Sequence, residues 1–331
     1  MGDVVPPDDA AERTAANDLR DTADDAAATI NRIQDAIGTV LHGKAHAVEL
    51  VVACLLAEGH VLIEDVPGVG KTMLARALAA VTGATTGRVQ FTADLLPSDV
   101  TGTSMWDPRT GDLRFRPGPV FANVLLADEI NRATAKTQAA LLEAMEERRV
   151  TADGTTYELP RPFLVLATQN PMEHEGTYKL PESQLDRFLA RVSLGYPDTA
   201  SELRMLEHDG GESIVSTLPA QSSITELTEL IARTSRIHVA GRLRVWLLEL
   251  VAATRSHPQV SLGASPRATL AVQRLARARA VMGGRTYVVP DDVLGVLPDA
   301  LVHRMIGIAP GRTDLTDVLD GIVRRIGVPR P

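Results

Sequence analysis

Apolar residues along this chain follow two different periods. Ile30, Ile33, Ile37 and Val40-Leu41 recur at helical spacing, and Gly43 supplies a stop. A second helix is predicted over Ala47 to Glu58. Then come apolar runs too short for helices: Val61-Leu62-Ile63, Arg88-Val89-Gln90-Phe91, residues 124–128, Phe163 to Thr168 and Arg191 to Leu194. Each is bounded by polar or Gly/Pro residues and reads as a strand. Between them lie helical patterns from Met73 to Leu78 and from Thr137 to Arg149, the latter with Leu141, Leu142 and Met145 on its apolar face. Strands alternating with helices predict an α/β sheet with parallel strands over 29–197. Two inserts interrupt the alternation. One, around 101–117, is punctuated by Trp106-Asp107-Pro108 and Thr110-Gly111-Asp112. The other, around 151–159, carries Asp153-Gly154 between β-type residues, a hairpin signal. Residues 198–223 are polar and read as a linker. Helical patterns over about 224–237, 241–255, 266–282 and 290–303 predict a smaller all-α domain over 224–331.

Chemistry concentrates at strand ends. The run from Asp65 to Thr72, DVPGVGKT, joins a strand to a helix. Backbone N–H groups of Pro/Gly-rich loops of this kind wrap phosphates, and a helix N-terminus adds partial positive charge. Pro67, Gly68, Val69, Gly70, Lys71, Thr72 and Met73 form the candidate nucleotide-binding loop. Lys71 would reach the β- and γ-phosphates, and the Thr72 hydroxyl would hold Mg²⁺. The generic motif has Gly where Asp65 stands. The strand Val124 to Asp128 ends in two carboxylates, with Asp128 suited to the metal and Glu129 to polarising a water. Thr168-Gln169-Asn170 closes a third strand with polar groups, which supports one shared site at the C-terminal ends of a parallel sheet.

Composition narrows the class. The chain has 331 residues, 44% of them hydrophobic but 3% aromatic, so its core must be aliphatic. Residues 1–28 carry eight acids against Arg13 and Arg20, which is −6 of the total charge of −8. That tail is expected to be disordered. The remainder is near neutral and offers no electrostatic footprint for nucleic acid. No signal peptide or membrane span is expected, and the lone Cys54 sits in an apolar helical run, so a cytoplasmic protein is expected. The eight histidines form no metal-ligand pattern.

From Val61 to Pro197 the chain closely resembles the MoxR family of AAA+ ATPases. The resemblance is carried by QFTADLLPSDVTG (90–102), GPVFANVLLADEINRA (118–133), TQAALLEAMEERRVT (137–151), ATQNPMEHEGTYKLPESQLDRF (167–188) and GASPRA (263–268). It implies an AAA+ P-loop core with a parallel sheet, followed by an α-helical lid, binding ATP with Mg²⁺. By resemblance Asn170 is sensor 1, Arg267 is sensor 2 touching the γ-phosphate, and Arg187 is an arginine finger entering a neighbour's site. A finger in trans implies a homo-oligomeric ring, a hexamer by resemblance. Two departures are visible: Ala133-Thr134-Ala135-Lys136 replaces a Pro-rich turn, and Lys179 stands where Pro is common. Neither falls on an inferred ligand position.

Three functions compete. The leading one is an ATP-hydrolysing, chaperone-like remodeller of partner proteins, by resemblance often proteins with von Willebrand factor A domains. The second is a nucleic-acid motor using the basic stretch of Arg274, Arg277, Arg279 and Arg285, although no aromatic stacking platform is interleaved. The third is a nucleotide-dependent scaffold with little turnover. Glu129, Asn170, Arg187 and Arg267 argue against it, because binding alone does not need them.

Overall fold

The computed structural model describes residues 9–171, 177–207, 215, 217–309 and 311–329. In chain order the strands of the α/β part are β1 Val61–Glu64, β2 Thr86–Gln90, β3 Gly102–Asp107, β4 Asp112–Pro117, β5 Val124–Asp128, β6 Arg149–Ala152, β7 Thr155–Glu158, β8 Leu164–Gln169 and β9 Ala190–Val192. Five of them form one parallel sheet in the order β2, β5, β8, β1, β9. The remaining four form two antiparallel hairpins, β3–β4 and β6–β7. Phe115 of one hairpin stacks on Tyr157 of the other, with ring centroids 4.0 Å apart. Asp153 and Gly154 both have positive φ, +49° and +78°, as a tight hairpin turn requires.

The central strands β1, β5 and β8 are buried on both faces, which explains their continuous apolar runs. Val61, Ile63, Val124, Leu126, Leu164 and Leu166 face one core. Leu62, Leu125, Ala127, Val165 and Ala167 face the other. The first core also takes in Ile30, Ile33 and Ile37, the helices Ala45–Leu56 and Lys71–Thr82, and the lid helices Ile224–Arg236, Gly241–Arg255 and Pro266–Met282. The second is closed by Leu141, Leu142 and Met145 of the helix Ala135–Glu147, with Phe91 and Phe188. Cys54 is buried, and burial pushes its thiol well above the usual range.

Several expectations need correction. The tail expected to be disordered is helical from Asp9, in one helix running to Gly38, while residues 1–8 lie outside the described residues. Alanine, the best helix former, is frequent there, and Asp9 and Glu12 suit a helix N-terminus. The expected linker contains a helix, Thr199–Glu207. The helix expected over 290–303 is broken into Pro290–Leu294 and Leu297–Leu301, with a 3₁₀ turn at Val302–Arg304. Pro298 removes a backbone donor within that run. The second domain is the helical unit expected, with one small addition, the antiparallel pair Val260–Leu262 and Ile306–Gly307. The departure at 133–136 has a local answer, since Thr134 caps the helix Ala135–Glu147 by accepting from the Thr137 N–H. Among the described residues no helix is long and apolar enough to cross a membrane.

Two buried histidines make stability depend on pH. His60 Nδ1 accepts from the Val165 N–H at 3.0 Å, and Nε2 lies 3.0 Å from the Met145 carbonyl. Burial lowers its pKa from 6.5 to about 4. Burial and the adjacent Arg304 lower His303 to about 3. The unfolded chain therefore takes up protons more readily below 6.5. The stability contributed by the neutral rings is complete above about pH 6.5 and declines as pH falls toward 4, by up to about 1.4 kcal/mol per pH unit for each ring. Denaturant midpoints are expected to be lower at pH 5 than at pH 7. His60→Gln should make that difference smaller.

Candidate functional site

Strand register brings the polar ends together. Ile63 faces Thr168, Glu64 faces Gln169, and Gln90 faces Asp128. After β1 the chain turns through residues 65–70 into the helix Lys71–Thr82. Gly68 and Gly70 have φ of +85° and +98°, a region that side chains strain to adopt. The cavity beside this turn, about 460 Å³, is lined by Pro67, Gly68, Gly70, Lys71, Thr72 and Met73 together with Asp128 and Glu129. Arg76 and Arg88 add positive charge to its lining. Val69 packs into the core and anchors the loop from beneath. Lys71 is buried, and its Nζ donates to the Asp65 carbonyl at 3.1 Å, which folds the side chain back along the loop.

Asp65, the departure from the generic loop, has a structural task. Its carboxylate accepts from the Leu194 N–H, from the Ser193 hydroxyl at 3.0 Å and from the Gly195 N–H at 3.2 Å. It thereby fastens the start of the loop to the segment after β9. Glu64, its neighbour, accepts from Gln169 Nε2 and from Arg191 at 2.8 Å, joining β1 to β8 and β9. The adjacent acids lock the sheet end from which the loop springs.

The two carboxylates after β5 are held differently. Thr168 donates its hydroxyl to Asp128 Oδ1 at 2.6 Å and accepts from the Glu129 N–H at 2.9 Å. One hydroxyl thus fixes both residues. Arg88 reaches Asp128 Oδ2 at 3.1 Å. Glu129 adopts the left-handed region, φ +57° and ψ +47°, which is uncommon for a residue with a side chain and clusters at functional sites. Its carboxylate pairs with Arg132 Nε at 2.9 Å. The cavity therefore combines hard oxygen donors, Thr72 and Asp128, with cationic side chains and a helix N-terminus. That donor set suits a triphosphate with Mg²⁺ sharing its shell between carboxylate, hydroxyl, phosphate and water.

The remaining candidates divide. Asn170 is buried directly beyond β8. Arg187 and Arg267 are not among the residues lining the cavity. They meet each other elsewhere, on Glu146. Arg187 lies 2.9 Å from Glu146 Oε2, and Arg267 lies 2.7 Å from Glu146 Oε1. Arg187 also donates to the Leu142 carbonyl at 2.9 Å. Sequence reasoning missed Glu64, Arg88, Arg132 and Glu146 as site residues. Only Thr168 had a signal, its place among the polar strand ends. Thr168→Val is expected to lower nucleoside triphosphate turnover roughly 10–100-fold, the usual cost of losing an outer-sphere support, while nucleotide affinity stays near wild type. Thr168→Ser should recover most of the rate. Single-turnover rates beside fluorescent-nucleotide titrations check both.

The chain is similar to proteins of the AAA ATPase class. The family described as "ATPase family associated with various cellular activities (AAA)" matches residues 60–190, and "AAA lid domain" matches residues 252–322. The uncharacterised protein YeaC of Bacillus subtilis is 49% identical over 269 residues, covering 81% of this chain and 84% of its own. Chaperone MoxR1 of Mycobacterium tuberculosis is 43% identical over 292 residues, covering 84% of this chain and 76% of its own. The crystal structure of a Cytophaga hutchinsonii protein assigned as an ATPase superposes with a TM-score of 0.88 at 35% identity, covering 96% of this chain and 99% of that one.

Proposed function

This chain belongs to the MoxR family of AAA+ ATPases, and on that footing we propose that it hydrolyses ATP within a ring of its own copies and uses the cycle to remodel partner proteins. The observation that carries the ring is the placement of two arginines. A site that transfers a phosphoryl group needs positive charge on the developing equatorial oxygens. Arg187 and Arg267 are the inferred suppliers, yet both are held on Glu146, away from the cavity of their own subunit. A neighbouring subunit would therefore complete each site.

Within one subunit the division of labour follows the geometry. Loop N–H groups from Pro67 to Met73 and the Lys71 ammonium bind and orient the phosphates. Glu129 takes a proton from the attacking water as its oxygen bonds to the γ-phosphorus, the bond to the β–γ bridging oxygen breaks, and ADP leaves with that oxygen. Thr168 holds Glu129 in place through its backbone, and Asn170 orients the water. Mg²⁺, held by Thr72 and Asp128, would neutralise charge on the β- and γ-phosphates. Arg132 pairs with the Glu129 carboxylate at 2.9 Å and helps fix its direction.

The output reading is chaperone-like, as the name of the Mycobacterium tuberculosis relative suggests. Hydrolysis would change the angle between sheet and lid, and a six-membered ring would pass that change to a client. Clients with von Willebrand factor A domains are the proposed class, and the cytoplasm the proposed compartment. Against the nucleic-acid reading, three of its four arginines are engaged within the protein. Arg274 donates to the Glu58 carbonyl at 2.8 Å, Arg279 pairs with Glu49, and Arg285 forms two bonds of 2.5 and 2.6 Å with Asp292. Those guanidiniums brace the lid and are not laid out for phosphates.

Glu129→Gln is expected to abolish turnover while ATP remains bound. Turnover that survives contradicts the assignment of the base. Arg187→Ala and Asp128→Ala should each be inactive alone. Mixed, they should regain part of the wild-type rate, because an Asp128→Ala subunit still lends its arginine. Absence of any recovery argues against completion in trans.

A further inference from the structure

We propose that Glu146 is a positioning residue that holds Arg187 and Arg267 as one two-pronged anion clamp for the neighbouring subunit's nucleotide. The inference rests on the ring reading above and adds a residue with no task in it. Glu146 lies in the last turn of the helix Ala135–Glu147 and gives one carboxylate oxygen to each arginine. The arginines come from distant parts of the chain. Arg187 follows the short helix Glu182–Leu185 of the sheet domain, and Arg267 is the second residue of the lid helix Pro266–Met282. A guanidinium has five N–H groups, so each arginine keeps donors for a phosphate while one carboxylate fixes its direction.

The backbones carrying these arginines are tied together without Glu146. Asp186 accepts from the Ser265 hydroxyl at 2.9 Å and pairs with the buried Arg304 at 3.5 Å. Ser265 is also the N-cap of the helix that bears Arg267. Losing Glu146 thus leaves the joint between sheet and lid fastened. What it releases is the aim of the two side chains. Arg187 would keep its bond to the Leu142 carbonyl, whereas Arg267 would lose the ion pair that sets its direction, leaving two neighbouring cations with no carboxylate between them. The Glu146 side chain is 37% exposed, so its ion pairs contribute little to stability. Aim matters far more than stability here, because a displacement of about 1 Å at a reacting centre costs on the order of 10²-fold in rate. Glu146 and Arg187 also line an open groove with Gln184. An approaching subunit has access to the clamp from that side.

The test uses full-length Glu146→Ala. Its kcat should fall roughly 10–100-fold with the KM for ATP within about twofold of wild type and an unchanged melting temperature. The defect should be repairable in trans. Lys71→Ala subunits have a dead site of their own but an intact clamp, so mixing equal amounts with Glu146→Ala should restore up to roughly a quarter of the wild-type rate in a randomly mixed closed ring. Arg187→Ala mixed with Lys71→Ala is the control. Recovery in both mixtures supports the clamp. Recovery in the control alone, with Glu146→Ala either at the wild-type rate or slow and unrepaired, overturns the role of Glu146 and leaves the ring reading intact. Recovery in neither overturns the ring reading, and the clamp with it.

Discussion

Hydrogen bonding through a single threonine hydroxyl, between two adjacent parallel strands, is what makes the carboxylate pair a site. β8 pairs directly with β5, so a side chain at its end reaches both the carboxylate that closes β5 and the backbone that follows it. Thr168 gives its proton to Asp128 and takes one from the Glu129 backbone. The bond to the Glu129 N–H holds that residue in its left-handed conformation. The rest of the site is built outward from this point. The loop enters from β1, whose Ile63 is in register with Thr168. Arg88 reaches across from β2 to the outer oxygen of Asp128.

A second constraint comes from the adjacent acids Glu64 and Asp65. Both are used for architecture, joining β1 to β8, β9 and the segment after β9. The loop can therefore dispense with the glycine of the generic motif. A carboxylate at that position spares the loop a conformational freedom it would otherwise have, and it accepts N–H groups that the end of the sheet would leave unmet. Lys71 is folded back on the same residue through the Asp65 carbonyl.

Much of the fold and the candidate site was legible because the signals were local. Short apolar runs ending in acids, a Gly-rich turn and a helix follow one another within a few residues at 61–78 and again at 124–129. What was illegible depends on pairs far apart in the chain. The partners of Asp65 lie about 130 residues away, and Glu146 meets Arg267 across 121 residues. No periodicity encodes such pairs. The N-terminal segment failed for a different reason. Its acidic, aromatic-poor composition argued for disorder, whereas its alanines favour a helix continuous with the buried Ile30, Ile33 and Ile37. Helix propensity outweighs composition in this segment. The second domain's small β-pair was missed because its strands have two and three residues.

In the proposed ring each subunit depends on a neighbour's arginines to complete its site. Steady-state ATPase rate per subunit, measured with Mg²⁺ across a wide range of protein concentration, tests it most directly. A rate that climbs with concentration and levels off as rings fill is expected. A substantial rate per subunit that stays constant down to concentrations where sedimentation shows monomers alone would contradict it.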